Sequence, residues 1–575
     1  MDSITISIDG KKFTTEPGKT ILEVAKEQGI DIPTLCFHPD VETNQHCNMC
    51  MIEIKGENNF RRACSTVVKD GMEITTQSKE LLAERKQNLD IILKNHLLEC
   101  SDCVWFSHCK LLDLVQEFKA KPVMQKNEAD KVLQVGGIVF DQTKCIGCEH
   151  CLEVCPVDFL SMNERSKVNP ASSTQKDCIN CGQCVLHCPV GAIEGVGEFE
   201  ELEKIFEDKS KTVVVQFAPS IRSSIGEEFG MDTGKIATGQ LVAGLKQVGF
   251  HFVFDTAAGA DFTTMEESDE LVERITQNKN LPAMTSCCPA WVKFMEFNYP
   301  EFLPHLCTSR SPQVMLGGVI KSYWAKENKI KPENIFVVSI MPCVAKKFEI
   351  KREELKIDDV YPVDMVLTTR ELVRLFKKYK VDLKNIQEKK ADNPLGTPSG
   401  AGVIYGSSGG VVESAMRTAY FKITGKELAN EDIKEVRGPE GIKIKQLRIN
   451  DRDIKICVIS SIKNAKKVLE ELKQKPDLYD AVEVMACPGG CVGGGGQSMP
   501  TTRSIVKKRA ATLYTIDDEV EIKRAHENQD VKKVYDTYLT NPEIRHKILH
   551  TNFFARKRSQ INELENSKKT VDLQL

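Results

Sequence analysis

No stretch of this 575-residue chain approaches the roughly 18 consecutive apolar residues of a bilayer-crossing helix, so no transmembrane segment is expected. The start, MDSITISIDGKKFTTEPGKT, lacks the charged-then-apolar order of a secretory signal, which predicts a cytoplasmic protein. An excess of one charge is missing too. The 78 Lys and Arg against 82 Asp and Glu leave −4, which gives no electrostatic reason to expect nucleic acid as a partner. No glycine-rich nucleotide fingerprint follows a strand, so the chain itself is not expected to bind NAD(P). With 41% hydrophobic and 28% charged residues, wholesale disorder is excluded. What stands out is cysteine: there are 22, and 15 of them precede residue 190. In a reducing compartment disulfides do not persist, so this many thiols imply metal ligation.

Length predicts roughly three to four domains. Residues 4–8 alternate apolar and polar, and Asp9-Gly10 turns them into Lys11–Thr15 as a hairpin. A short helix is expected from Thr20 to about Gln28, with further strands at Met51–Ile54 and Met72–Thr76. Residues 1–78 therefore read as a small α+β unit, 79–125 as helical around a cysteine cluster, and 126–208 as a repeat offset by 33 residues. From 209 to 575 apolar strand candidates (Thr212–Phe217, His251–Asp255, Phe336–Ile340, Asp364–Thr368, Lys455–Ile459, Ala481–Met485) alternate with helices at Thr238–Val248, Met265–Gln277, Glu371–Lys378 and Ala465–Gln474. That alternation predicts a large α/β domain whose length suits two sheets. The polar residues from Ala555 onward are expected to fray.

The repeat carries chemistry. Cys145-x2-Cys148-x2-Cys151-x3-Cys155-Pro recurs as Cys178-x2-Cys181-x2-Cys184-x3-Cys188-Pro. This is the two-cluster ferredoxin spacing, in which the fourth cysteine of each run serves the other cluster. Cys145, Cys148, Cys151 and Cys188 are thus expected on one 4Fe–4S cluster, and Cys178, Cys181, Cys184 and Cys155 on the second. Zinc ribbons do not use this spacing. Cys36-x10-Cys47-x2-Cys50-x13-Cys64 departs from the plant-type 2Fe–2S pattern in its first gap, so a structural zinc site is its rival. His96-x3-Cys100-x2-Cys103-x5-Cys109 suits zinc as well as iron, and its position between two iron–sulfur modules favours a 4Fe–4S cluster with one neutral histidine ligand.

Four clusters would make a wire, and the downstream cysteines lie where such a wire should end. They sit in Thr285-Ser286-Cys287-Cys288-Pro289-Ala290-Trp291, Met341-Pro342-Cys343-Val344-Ala345-Lys346 and Met485-Ala486-Cys487-Pro488-Gly489-Gly490-Cys491. The second and third follow expected strands, and loops at the carboxyl ends of α/β strands converge on one crevice. Adjacent side chains rarely point the same way, so Cys287 and Cys288 should have different tasks. Gly493–Gly496 offer four positions without Cβ, where backbone approaches a bulky group closely.

TSCCPAW, MPCVAKKFE and MACPGGCVGGGGQ resemble the three signature motifs of the FeFe hydrogenases, and RAHEN (524–528) with Leu549-His550-Thr551 resembles their small-subunit region. The resemblance spans residues 1–555. It implies a multidomain α+β protein: a β-grasp 2Fe–2S ferredoxin domain, a small helical His-ligated 4Fe–4S domain, a bacterial-type two-cluster ferredoxin domain and a large α/β catalytic domain. The implied reaction is reversible, 2 H⁺ + 2 e⁻ ⇌ H₂. It would run at an H-cluster, a 4Fe–4S cubane on Cys288, Cys343, Cys487 and Cys491, with Cys491 bridging to a two-iron subsite bearing CO, cyanide and a dithiolate. Maturation proteins would install it.

Lys346 is implied to donate hydrogen bonds to a bound cyanide; apart from the resemblance it reads as a surface ion pair with Glu349 at i+3. Ala218, Pro219, Ser220, Pro312, Gln313, Met341 and Met485 are implied around the subsite, although core packing would account for the methionines alone. Cys287, Glu267, Glu270 and Arg274 are implied as the proton relay; on spacing alone the last three are a solvated helix face. Cys307 stands where relatives carry a relay serine, and a thiol makes weaker hydrogen bonds. Nineteen of the 22 cysteines are then ligands, leaving Cys287, Cys307 and Cys457, the last expected in a strand core. The electron partner is expected to be either ferredoxin or flavoprotein and NAD(P)-binding subunits of a complex, including a bifurcating or formate-linked one; DNPLGTPSGAGVIYGSSGG is closer to the complex-forming members. A non-catalytic assembly or H₂-sensing relative is the remote alternative, against which Cys287 and Lys346 speak.

Overall fold

A turn with positive φ at both Asp9 (48°) and Gly10 (78°) closes the expected hairpin, Ile4–Ile8 on Lys11–Thr15. The computed structural model describes residues 3–41, 45–96, 100, 103, 109–121, 127–170, 176–439 and 441–564. The hairpin joins Glu73–Thr75, Met51–Ile54 and Arg61–Arg62 in a five-stranded sheet. Across it lies the helix Ile21–Glu27, started by a capping box between Thr20 and Glu23, which buries Ile21 and Val24 against Ile6, Ile8 and Ile52. The next segment is two helices, Lys79–Leu93 and Lys110–Glu117. Of the loop between them, residues 97–99, 101–102 and 104–108 lie outside the described residues.

The repeat gives two matching short helices, His150–Glu153 and Gln183–Leu186. Each follows a residue in the left-handed region, Glu149 at φ 65° and Gly182 at φ 72°. Beside them runs a four-stranded sheet ordered Ile193–Gly195, Ile138–Asp141, Val132–Val135, Ile561–Glu563. Its last strand corrects one expectation. Residues 555–564 of the segment expected to fray instead cross back over the molecule, and Ile561–Glu563 pair with Leu133–Val135. Charge accounts for the path: Arg556 reaches the buried Glu296 at 2.9 Å, and the Ser559 amide donates to Asp177 at 3.1 Å. The strand then covers an edge that would otherwise present unpaired backbone. Residues 565–575 lie outside the described residues.

The remainder holds two sheets. One is wholly parallel, ordered Phe252–Asp255, Thr212–Phe217, Ile335–Met341, Met365–Thr368. The other is ordered Ala283–Met284, Ala481–Met485, Arg452–Ser460, Ile442–Ile449, with only the last pairing antiparallel. Cys457 is buried in that sheet, as expected. One helix is much longer than its periodicity suggests. Thr256–Gln277 begins nine residues before the expected Met265, with Asp255 accepting from the Ala257 amide. Thr256–Thr264 are buried all round, so no polar face marks them as helical in sequence.

Candidate metal centre

Loops from both sheets meet in one chamber. Ala218–Ser220 follow the strand Thr212–Phe217, Pro342 and Cys343 follow Ile335–Met341, Cys287 and Cys288 lie just beyond Ala283–Met284, and Cys487 lies just beyond Ala481–Met485. These loops, with Cys491, Pro312, Gln313, Met341, Met485 and Lys346, line one cavity. Every residue expected as a ligand or neighbour of the active-site group thus lines one space. Thr256, Tyr405 and Gly406 line it as well, unforeseen. The first sits in the helix turn that shows no periodicity, and the other two end a short helix, Gly400–Ile404, inside a glycine-rich stretch.

The donors fit an iron cluster. No disulfide joins the cysteines among the described residues. Burial pushes the thiols of Cys288, Cys487 and Cys491 up and that of Cys343 up to about 12, so four clustered thiolates need the positive charge that iron supplies. Ser220 Oγ and Gln313 Oε1 are buried without partners, leaving polar atoms for a bound group.

Lys346 does pair with Glu349, at 2.9 Å, but in the interior rather than on the surface. Its ammonium also donates to the Cys287 carbonyl at 3.0 Å. Burial opposes its charge, and the Glu349 carboxylate more than offsets that, so its pKa is raised. An ammonium has three donors; one remains for the chamber. Gln313 and Ser311 also donate to Glu349, at 2.6 and 2.9 Å, which fixes the pair.

Two glutamates on the helix Thr256–Gln277 differ sharply. Both oxygens of Glu267 are buried without a hydrogen-bond partner. Burial, and then the nearby charge of Glu270, push its carboxyl up to about 8; Glu483 adds to this, while the Ser309 and Tyr405 hydroxyls nearby offset part of it. Glu270, by contrast, accepts from the Thr308 amide and hydroxyl and the Ser309 amide at 2.9–3.1 Å, and pairs with Arg274 at 3.1 Å. Cys307 is buried beside both carboxylates, which with burial push its thiol up. Cys287 is raised for the same reasons, burial first and then Glu267. Thr308 was missed because nothing in the spacing marks a hydroxyl that holds a carboxylate from another element.

Three of the four sets of earlier cysteines are brought together among the described residues. Cys36 and Cys47 sulfurs lie 3.2 Å apart, and those of Cys50 and Cys64 3.3 Å apart. Cys145, Cys148, Cys151 and Cys188 line one cavity, as the crossed assignment requires. Cys155 is an electrostatic neighbour of Cys178, Cys181 and Cys184. His96 Nδ1 meets the Lys144 carbonyl at 2.6 Å, which leaves Nε2 for a metal. Cys100, Cys103 and Cys109 are described, but most of the loop that would set their geometry is not.

Spatial order differs from sequence order. The Cys36 carbonyl meets His150 Nε2 at 2.8 Å, between Cys148 and Cys151, while His96 rests on the residue before Cys145. The Cys178 group faces the chamber instead: the Cys181 carbonyl is 4.0 Å from Cys487 Sγ. The glycine run serves this junction. A Cβ on Gly495 would meet the Cys181 oxygen at 2.4 Å and Gly182 Cα at 2.5 Å, and Gln183 donates to the Gly493 carbonyl at 3.1 Å. Of Gly493–Gly496 only Gly494 lines the chamber, so close approach here is mainly of backbone to backbone.

Buried cysteine groups leading stepwise to a buried, thiol-lined chamber define an iron–sulfur redox protein. The comparisons name its family. A profile described as "Iron only hydrogenase large subunit, C-terminal domain" matches residues 211–495, and "Iron hydrogenase small subunit" matches 503–556. Residues 1–79 match a 2Fe–2S cluster-binding domain and 144–192 a 4Fe–4S dicluster domain. The NADP-reducing hydrogenase subunit HndD of Solidesulfovibrio fructosivorans is 36% identical, over 97% of this chain and 100% of its own length. Iron hydrogenase 1 of Clostridium pasteurianum is 37% identical over 95% and 99%. The apo structure of [FeFe]-hydrogenase HydA1 from Chlamydomonas reinhardtii superposes with a TM-score of 0.56 at 37% identity, over 63% of this chain and 99% of that one. The chain belongs to the FeFe hydrogenases. It is an oxidoreductase that interconverts protons, electrons and H₂, with 2Fe–2S and 4Fe–4S domains and an H-cluster domain. Among the described residues no helix is long and apolar enough to cross a membrane.

Proposed function

We propose that Cys288, Cys343, Cys487 and Cys491 would hold the cubane of the H-cluster, with Cys491 the residue that would also serve the two-iron subsite. When bound, that group supplies the redox chemistry that joins two protons and two electrons. The chain's residues orient it and feed it. Ser220 and the remaining Lys346 donor would offer hydrogen bonds to its polar ligands, and Ala218, Pro219, Pro312, Gln313, Met341 and Met485 would line its surroundings. Cys287 delivers protons into the chamber and is recharged from Glu267. Glu267 exchanges in turn with Glu270 and Arg274 past Cys307.

Electrons arrive by a separate, branched route. Cys36, Cys47, Cys50 and Cys64 carry a 2Fe–2S cluster, with one sulfur pair for each iron. His96, Cys100, Cys103 and Cys109 carry a 4Fe–4S cluster. Cys145, Cys148, Cys151 and Cys188 would hold the cluster that both inputs reach, and Cys178, Cys181, Cys184 and Cys155 the one that lies against the chamber; the chemistry these would supply is electron transfer. The functional units are 1–78, 79–125, 126–208 and 209–575. Two inputs suit a chain that serves ferredoxin directly and equally one that exchanges electrons with flavoprotein and NAD(P)-binding subunits; the Solidesulfovibrio relative is named a subunit of an NADP-reducing hydrogenase. Reduced cysteines throughout suit the cytoplasm.

One observation carries the site reading. Adjacent Cys287 and Cys288 both line the chamber, with Lys346 on the carbonyl of the first and an unpartnered Glu267 near it. Infrared spectroscopy after anaerobic maturation tests it: CO and cyanide stretching bands are expected, and their absence ends the assignment. Hydrogen-driven reduction of ferredoxin, compared with that of a co-purifying flavoprotein, separates the two partners.

A further inference from the structure

Beyond Glu270 the hydrogen bonds do not stop. The Thr308 hydroxyl donates to Glu270 at 2.9 Å and lies 2.8 Å from His550 Nδ1. His550 Nε2 lies 2.8 Å from Glu266. Glu266 is buried and accepts from Arg545 at 2.9 Å and from the Tyr535 hydroxyl; Arg545 donates onward to Asp269 at 2.8 Å, near solvent. Donor counting fixes what the imidazole holds. Thr308 has a single proton and gives it to Glu270, so Nδ1 must donate to Thr308. Nε2 faces a carboxylate, so it donates too, or else Glu266 carries the proton. The His550–Glu266 pair therefore stores one transferable proton, whichever atom bears it.

We propose that His550 is the outer proton-loading link of the relay, drawn from the small-subunit segment at 503–556. This rests on the Glu267–Glu270 relay proposed above. In the inward direction Nδ1–H passes its proton to Thr308, and the Thr308 hydroxyl proton moves to Glu270. That leaves a neutral imidazole still carrying Nε2–H, and a proton taken from solvent at Nδ1 restores the starting state. One proton enters and one leaves per step, with no electron. The ring is well placed for loading: its side chain is 13% exposed and stacks at 5.1 Å on the exposed His546. The charged and titratable groups facing it are Glu266, Asp269, Glu270 and Arg274 from one helix, Arg545, His546 and Lys547 from another, and Tyr535. The Arg310 guanidinium contacts only its carbonyl, at 2.7 Å.

The test uses the matured full chain with a small chemical reductant. His550→Gln keeps hydrogen-bonding atoms but cannot relay, and His550→Ala opens room for added imidazole. His550→Gln is expected to slow hydrogen evolution by about 10²-fold, the lower end of what a positioned proton donor contributes, because Glu270 is itself 14% exposed and can take protons from solvent. The infrared bands should be unchanged, the alkaline limb of the rate profile should move to lower pH, and imidazole should restore His550→Ala. An unchanged rate overturns the proposal. So does a loss without a pH shift or imidazole rescue, which marks a structural strut. Glu267→Gln is the control. If it too keeps full activity, the relay itself is wrong; if it is inactive while His550→Gln is not, only the role of His550 falls.

Discussion

The two sides of the chamber are built from different materials. Toward the ferredoxin-like repeat the contacts are thiols and backbone: the Cys181 carbonyl on Cys487, Gly495 on Gly182, Gln183 on the Gly493 carbonyl. No carboxylate takes part in those contacts. Toward the helix Thr256–Gln277 stand Cys287, Glu267, Cys307 and Glu270, all titratable and buried or nearly so. Electron tunnelling needs proximity and rigidity, whereas proton transfer needs groups that change charge. The separation lets one be altered without the other.

Cys288→Ala is the most damaging change. It removes a ligand, so iron content and infrared bands of the site should both be lost with all activity. Lys346→Met comes next. It leaves Glu349 buried without its cation, which costs about 3–5 kcal/mol, and a thermal melt should show it alongside weakened infrared bands. Gly495→Ala should act on the electron side alone. Its Cβ has no room against Cys181 and Gly182, so hydrogen evolution from a reduced protein donor should fall steeply while evolution from a small reductant with direct access persists. Equal losses with both donors would blur the separation.

On the proton side, Glu267 makes a claim about pH. Its carboxyl is pushed up to about 8, so below that pH it is neutral and holds a proton to deliver. Hydrogen evolution through it should therefore decline as pH rises through about 8, and hydrogen oxidation, which needs the carboxylate as acceptor, should gain over the same interval. The same shift makes the contribution of Glu267 to native stability most favourable below the unfolded carboxyl value of about 4.3, and that contribution is progressively lost up to about 8. Cys307→Ser is the mildest change. A hydroxyl in place of a thiol strengthens one hydrogen bond by about 1 kcal/mol, so the rate should rise by no more than about fivefold.

The two sides also differ in how far the sequence discloses them. Cysteine spacing of two and three residues within one loop discloses a cluster, because three of its four ligands come from one local conformation; the fourth comes from the other run, and the positions of Cys155 and Cys188 agree with that crossing. The chamber draws on residues from Ala218 to Cys491, and no local spacing links them. Their grouping is legible only through resemblance and through strand ends that point to one crevice. The branch order of the clusters is not legible, since it depends on which loop docks on His150 and Lys144. Thr308 and His550 stay hidden because a hydroxyl and an imidazole 242 residues apart have no pattern until the helix Pro542–Leu549 brings them to 2.8 Å. The return strand Ile561–Glu563 is hidden by its polarity, because an ion pair from Arg556 and a backbone hydrogen bond from Ser559 to Asp177 hold its approach.

The separate supply of protons and electrons is tested most directly on Cys287→Ala, by following cluster reduction and hydrogen evolution in the same anaerobic sample. With Cys287 absent and every proposed ligand present, infrared bands and the rate of cluster reduction by a protein donor should match the parent, while hydrogen evolution drops by about 10²–10⁴-fold. Evolution at the parent rate, or a loss of the infrared bands themselves, would contradict the account.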